Sequence, residues 1–227
     1  MKFEILGTTL PVVEVTLDQG EVLYSEAGAM AWMEQGISLE AQTGGKGVFG
    51  MLGRALSGES LFLTYYTAQR NGVKIAFGVN APGKIIAREL GPGEQLICQK
   101  KSFLAAERSV QLDIMFQHKL GVGLFGGEGF ILQKVTGPGW VFLEVDGEVV
   151  EKVLGPGEVL KVDNGYLAFA EPTVSVDIET VKGFRNILFG GEGLFLAVLR
   201  GPGKVALQTL PINVLAASII PFVPVKK

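Results

Sequence analysis

Residues 121–127 read "GVGLFGG" and contain the spacing GxGxxG. In a dinucleotide site those glycines turn a strand into a helix whose N-terminal amides face a pyrophosphate, so the chemistry requires a helix directly after the turn. Here the next residues are "GEGFILQKVTGPG", and only Phe130 to Thr136 separate one glycine turn from the next. That gap fits a strand and is too short for a useful helix, so the glycines are read as serving the backbone, in bulges and close strand approaches. No GxxxxGK[ST] phosphate loop is present, and no cofactor is expected.

Other reactive groups are few. His118 is the sole histidine, which removes His-rich metal centres, Cys/His zinc sites and most catalytic triads by count, and with them cupin-type metal chemistry. Cys98, the sole cysteine, follows the apolar pair Leu96-Ile97 and reads as a buried structural thiol. The remaining polar set is a triplet of carboxylates, Glu59, Glu128 and Glu192, each in a glycine turn ahead of an apolar strand. Two readings are open: convergence on a hard cation through oxygen ligands, or a plain structural role in which each accepts backbone N–H bonds within its own turn or is simply exposed, the second being preferred. The same preference applies to Glu34, Glu107 and Glu171. No catalytic, metal or cofactor residue is assigned, and the chain is expected not to be an enzyme.

These triplets belong to an internal repeat. From Gly20 the chain reads "GEVLYSEAGAMAWMEQGISLEA", from Gly93 "GEQLICQKKSFLAAERSVQLDI", and from Gly157 "GEVLKVDNGYLAFAEPTVSVDI". A second block, "SGESLFLTYY", "GGEGFILQKV" and "GGEGLFLAVL", follows each copy. A spacing of 64 residues separates both Glu107 from Glu171 and Glu128 from Glu192, while the first copy is longer around "GMLGRALS".

Turns at "GPG" (Gly91, Gly137, Gly155, Gly201) and "APG" (Ala81) punctuate runs of four to eight residues rich in Val, Ile, Leu and Phe, several alternating with period two. The pattern predicts an all-β chain forming a single domain over residues 1–227. Its pseudo-repeats run over about 1–78, 79–142 and 143–210, with a C-terminal strand over 211–227, where Pro221 and Pro224 argue against a helix.

Composition sets the outer limits. With 227 residues, 48% hydrophobic and 19% charged, the chain can bury a sizeable core and excludes long disorder. A formal net charge of −3 without basic clusters disfavours nucleic acid. The N-terminal stretch carries Glu4 and Pro11 within its apolar run, so export through a signal peptide is not expected, and a cytoplasmic location, peripheral to a membrane at most, is. The stretch "GKGVFGMLGRALSGESLFLTYY" is glycine-rich and apolar; Phe49, Met51 and Leu52 in it form either an adhesive tip for a membrane or partner, or a buried insertion.

The "GPGE" turns, the "GGEG" turns followed by "FIL" or "LFL", and "EAGAMAWM" in the first copy together resemble the family named for the mitochondrial protein of altered inheritance of mitochondria 24. The resemblance spans essentially the whole chain. It implies a β-sandwich-like fold of the double-stranded β-helix kind, similar to the tryptophan RNA-binding attenuation protein, and assembly as a homo-oligomer, a trimer foremost. It implies no reaction and no catalytic residues. The expected function is a non-catalytic oligomeric scaffold or interaction protein, membrane-associated through its apolar glycine-rich turns; the alternative is a small-ligand or nucleic-acid binding module using grooves of the β fold.

Overall fold

The computed structural model describes residues 1–43, 62–118, 129–180 and 195–223. After β1 (Lys2–Leu6), six strands recur three times. The first set is β2 (Val12–Leu17), β3 (Val22–Glu26), β4 (Met30–Met33), β5 (Ile37–Thr43), β6 (Phe62–Ala68) and β7 (Val73–Gly78). The second is β8 (Gly83–Leu90), β9 (Gln95–Gln99), β10 (Phe103–Glu107), β11 (Gln111–His118), β12 (Phe130–Thr136) and β13 (Gly139–Asp146). The third is β14 (Val149–Leu154), β15 (Val159–Asp163), β16 (Leu167–Ala170), β17 (Ser175–Thr180), β18 (Phe195–Arg200) and β19 (Gly203–Gln208). The chain is therefore all-β in class. The expected break at residue 78 coincides with the end of β7, whereas the one at 142 falls inside β13.

The strands form where side chains alternate between core and solvent. In β2, Val13, Val15 and Leu17 are buried while Val12, Glu14 and Thr16 are only partly covered. β12 occupies Phe130–Thr136, so the GxGxxG spacing, itself outside the described residues, is followed by a strand.

Pairing follows one rule in every repeat. The first, sixth and third strands form one half-sheet (β2-β7-β4, β8-β13-β10, β14-β19-β16), and the second, fifth and fourth form the other (β3-β6-β5, β9-β12-β11, β15-β18-β17). Successive repeats are fused through these halves. Antiparallel pairing of β3 with β10 makes a six-stranded sheet β5-β6-β3-β10-β13-β8, and pairing of β9 with β16 makes β11-β12-β9-β16-β19-β14. A four-stranded sheet, β1-β2-β7-β4, and a three-stranded one, β15-β18-β17, complete the set.

A bulge recurs at one position, between Met30 and Trp32 in β4, Phe103 and Ala105 in β10, and Leu167 and Phe169 in β16. The extra residue bends the third strand at the same point in each repeat.

By internal contacts the chain divides into two compact units. One comprises Met1–Glu94, Phe103–Gln111 and Thr136–Glu144; the other comprises Gln95–Ser102, Leu112–Val135 and Val145–Lys227. The first buries a cluster around Val13, Val15, Leu23, Ile75, Phe77 and Phe142, with Phe3 set edge-on to Trp140 at 4.8 Å. The second buries Phe130, Leu132, Leu167, Leu199 and Val205.

The C-terminal segment differs from expectation. In place of a strand over 211–227, α1 (Ile212–Ile219) is followed by a 3₁₀ turn, Ile220–Phe222. Pro211 stands before the first helical residue, where its missing N–H costs nothing, and Pro221 falls after the α-helix has ended. Pro221, expected to argue against a helix, thus lies beyond the end of a Leu- and Ala-containing one, and Pro224 lies outside the described residues.

Candidate functional site

Phe49, Met51, Leu52 and Glu59 lie within 44–61, Glu128 within 119–128 and Glu192 within 181–194, all outside the described residues. The three stretches occupy equivalent places in the chain, leading into β6, β12 and β18. Phe62, the first residue of β6, is 61% exposed, and Leu39 on the neighbouring β5 is also exposed.

The other carboxylate triplet is fully described, and each member is used locally. Glu34 Oε2 accepts the backbone N–H of Lys74 at 3.1 Å, Glu107 Oε2 that of Trp140 at 2.7 Å, and Glu171 Oε2 that of Lys204 at 2.8 Å. Each therefore pins the start of its repeat's sixth strand to the end of its third. A third triplet, Glu21, Glu94 and Glu158, is marked in the sequence only by its place beside the repeated glycines. Each accepts the N–H three residues earlier, from Asp18 (2.8 Å), Gly91 (2.8 Å) and Gly155 (2.9 Å), and so closes its own turn.

Buried polar clamps mark the passages between repeats. Glu144 accepts from the backbone N–H of Asn80 (3.0 Å) and from its side-chain amide (3.1 Å). Gln208 holds the equivalent place one repeat later: its Oε1 accepts the Asp146 N–H at 3.0 Å and its amide donates to the Gly165 carbonyl at 2.6 Å. Asp146 Oδ2 in turn accepts the N–H of Ile212 at 2.7 Å, capping α1. Burial raises the Asp146 carboxyl above its ordinary value, against the opposing pull of the Ile212 N–H and of Lys101.

On the four-stranded sheet, Lys74 Nζ lies 2.6 Å from Glu14 Oε1. Bonding to Lys74, assisted by the Trp32 side chain, lowers the Glu14 carboxyl, and Glu14 raises the Lys74 ammonium. The Trp32 indole thereby has a polar anchor while much of its ring stays open to solvent (45% exposed) on β4.

Cys98 is buried in β9, opposite Phe169 of β16, and His118 is the last residue of β11. Among the described residues no group of three or more His, Cys, Asp or Glu side chains could hold a metal. A shallow cleft of about 500 Å³ is lined by Leu17, Glu21, Val22, Glu107, Arg108 and Ser109, among others. Its two carboxylates, Glu21 and Glu107, are those that accept the backbone N–H groups of Asp18 and Trp140. Among the described residues no helix is long and apolar enough to cross a membrane.

Comparison with known proteins agrees with this architecture. The family model described as "Mitochondrial biogenesis AIM24" matches residues 3–210. An uncharacterized protein of Streptococcus pyogenes serotype M6 is 30% identical over 232 residues, covering 99% of this chain and 92% of the relative. The X-ray crystal structure of a Streptococcus pyogenes protein from a structural genomics programme superposes with a TM-score of 0.78 at 26% identity, covering 98% of this chain and 99% of that one.

Proposed function

The chain belongs to the mitochondrial biogenesis AIM24 family, and from that premise we propose that it works as a non-catalytic, oligomeric scaffold, a trimer, that meets a membrane surface or a protein partner through apolar surface. One observation carries the reading: both described carboxylate triplets are spent on the chain's own backbone N–H groups, while large apolar side chains stand in solvent. Phe62 and Leu39 stand exposed on β6 and β5, the two strands that flank residues 44–61 in the chain. Large exposed apolar groups are the raw material of contact surfaces.

The nested pairing of first with sixth and second with fifth strand in each repeat supports reading the repeat as a short double-stranded β-helix. A cytoplasmic place, peripheral to the membrane, belongs to the same proposal.

The test is light scattering on the purified protein together with flotation on liposomes. A trimer that floats with vesicles, and loses flotation when Phe49, Met51 and Leu52 are changed to Ser, supports the proposal. A strict monomer with no affinity for vesicles overturns it.

The cleft beside Glu107 and Arg108 favours a second reading, a small-ligand module, because its volume lies within the usual span of ligand pockets, roughly 300–1,000 Å³. A thermal-shift screen with nucleotides, RNA oligonucleotides and divalent ions decides it: a saturable shift, abolished by Arg108→Ala, supports the module, and no shift with any of them removes it.

A further inference from the structure

We propose that β15 of one chain pairs antiparallel with β4 of a second copy, head to tail, in the register of the two joints already made inside the chain. The proposal rests on the oligomeric reading above and specifies its contact surface.

Three strands, β3, β9 and β15, hold the same place in their repeats, as do β4, β10 and β16. Two joints are made: β3 with β10, and β9 with β16. That leaves β15 at the edge of its three-stranded sheet and β4 at the edge of its four-stranded sheet. The fourth strands β5, β11 and β17 are sheet edges in every repeat, so their openness is part of the pattern. Among the described residues, β4 and β15 each lack the partner strand that their two counterparts have.

Burial tells the same story. At the positions that meet in the joints, Ala105 and Ala106 of β10 are 0% exposed, and Phe169 and Ala170 of β16 are 6% and 1%. Their counterparts on β4 are Trp32 and Met33, both exposed. On the other side, Tyr24 of β3 and Ile97 of β9 are buried, whereas their counterpart Lys161 is exposed. An open edge with large apolar side chains is a template for strand addition, normally blunted by charge. Lys161 does not blunt it, because its ammonium is held at 2.7 Å by Glu179 of β17, on the far side of β18.

The existing joints fix the register. Ala105 faces Ser25 and Phe169 faces Cys98, which places Trp32 opposite Val162 of the second copy. Ala106 faces Tyr24 and Ala170 faces Ile97, which places Met33 opposite Lys161. The donor Arg108 N–H to the Val22 carbonyl (3.1 Å) has its equivalent in Gln35 to Val159 of the second copy. A head-to-tail contact of this kind ends by closing a ring or runs on as a fibre.

Met33→Cys and Lys161→Cys test the contact, both being exposed positions. Co-expressed under mild oxidation, the two single variants are expected to cross-link into dimers, each alone to give none, and the double variant to cross-link through the whole oligomer. Trp32→Lys is expected to release monomers with an unchanged circular dichroism spectrum, while Val153→Lys on exposed β14 leaves the oligomer intact. Cross-linking of either single variant with itself, an uncross-linked mixture, or a Trp32→Lys protein that stays assembled would overturn the joint while leaving the oligomer standing. A monomeric wild type would remove both.

Discussion

Glu107 binds the Trp140 N–H with a carboxylate oxygen at 2.7 Å, and its counterparts Glu34 and Glu171 do the same one repeat either side. Charge-assisted bonds of this kind are stronger than neutral ones, and losing the acceptor strands a half-buried donor. Glu107→Ala should therefore lower stability by about 1–3 kcal/mol in urea titration, with Glu107→Gln losing clearly less because its carbonyl oxygen still accepts; equal losses would mean that the bond is not the source. Asp146 behaves differently, since burial raises its carboxyl above the unfolded value. The stability it contributes is complete below the unfolded value and is lost as pH rises through the raised folded one. Asp146→Asn keeps an acceptor for the Ile212 N–H without the buried charge, so its stability relative to wild type should grow from acid to neutral pH. A difference that stays flat across that range would show the carboxyl to be unperturbed. The Glu14–Lys74 pair has the opposite acid-side sign: Glu14, lowered in the fold, loses its contribution as pH falls through that lowered value.

Turns show which parts of the elements could be read in advance. The GPG motifs marked strand ends, yet the sequence did not reveal that each carries the chain from one sheet into another, nor that they come in packed pairs. A Cβ on Gly137 would collide with the Gly91 carbonyl oxygen, and one on Gly201 with that of Gly155. Gly93 is required for another reason: its φ is +76°, and a Cβ there would meet nothing within 4 Å. Asn tolerates that left-handed region but cannot shrink, so Gly93→Asn should cost little and Gly137→Asn about 1–3 kcal/mol by chemical denaturation. Similar losses at both sites would refute the distinction. Strands such as β2 and β12 were legible because alternation and turn chemistry are local. The bulge in β4, β10 and β16 was not, because the extra residue is defined only against the partner strand. α1 was hidden for a related reason, its start being fixed by Asp146, 66 residues away in the chain.

At the scale of the molecule, the repeat is legible in sequence but the sheets are half a repeat out of phase with it. Each six-stranded sheet takes three strands from one repeat and three from the next, and no period-two pattern names such a distant partner. The consequence is that a repeat boundary is not a structural boundary. Removing residues 147–227 deletes one whole repeat by sequence, yet it also strips β16 from β9 and uncovers Leu96, Ile97 and Cys98, which are buried in the full chain. If each repeat were self-sufficient, the shortened protein would stay soluble and keep its thiol protected. The shared sheets require instead that it aggregate or pair with itself through the bared edge of β9, and that Cys98 become reactive. Sedimentation together with the rate of Cys98 modification by a thiol reagent measures both, and a soluble shortened monomer with a protected Cys98 would show that the joints do not hold the repeats together.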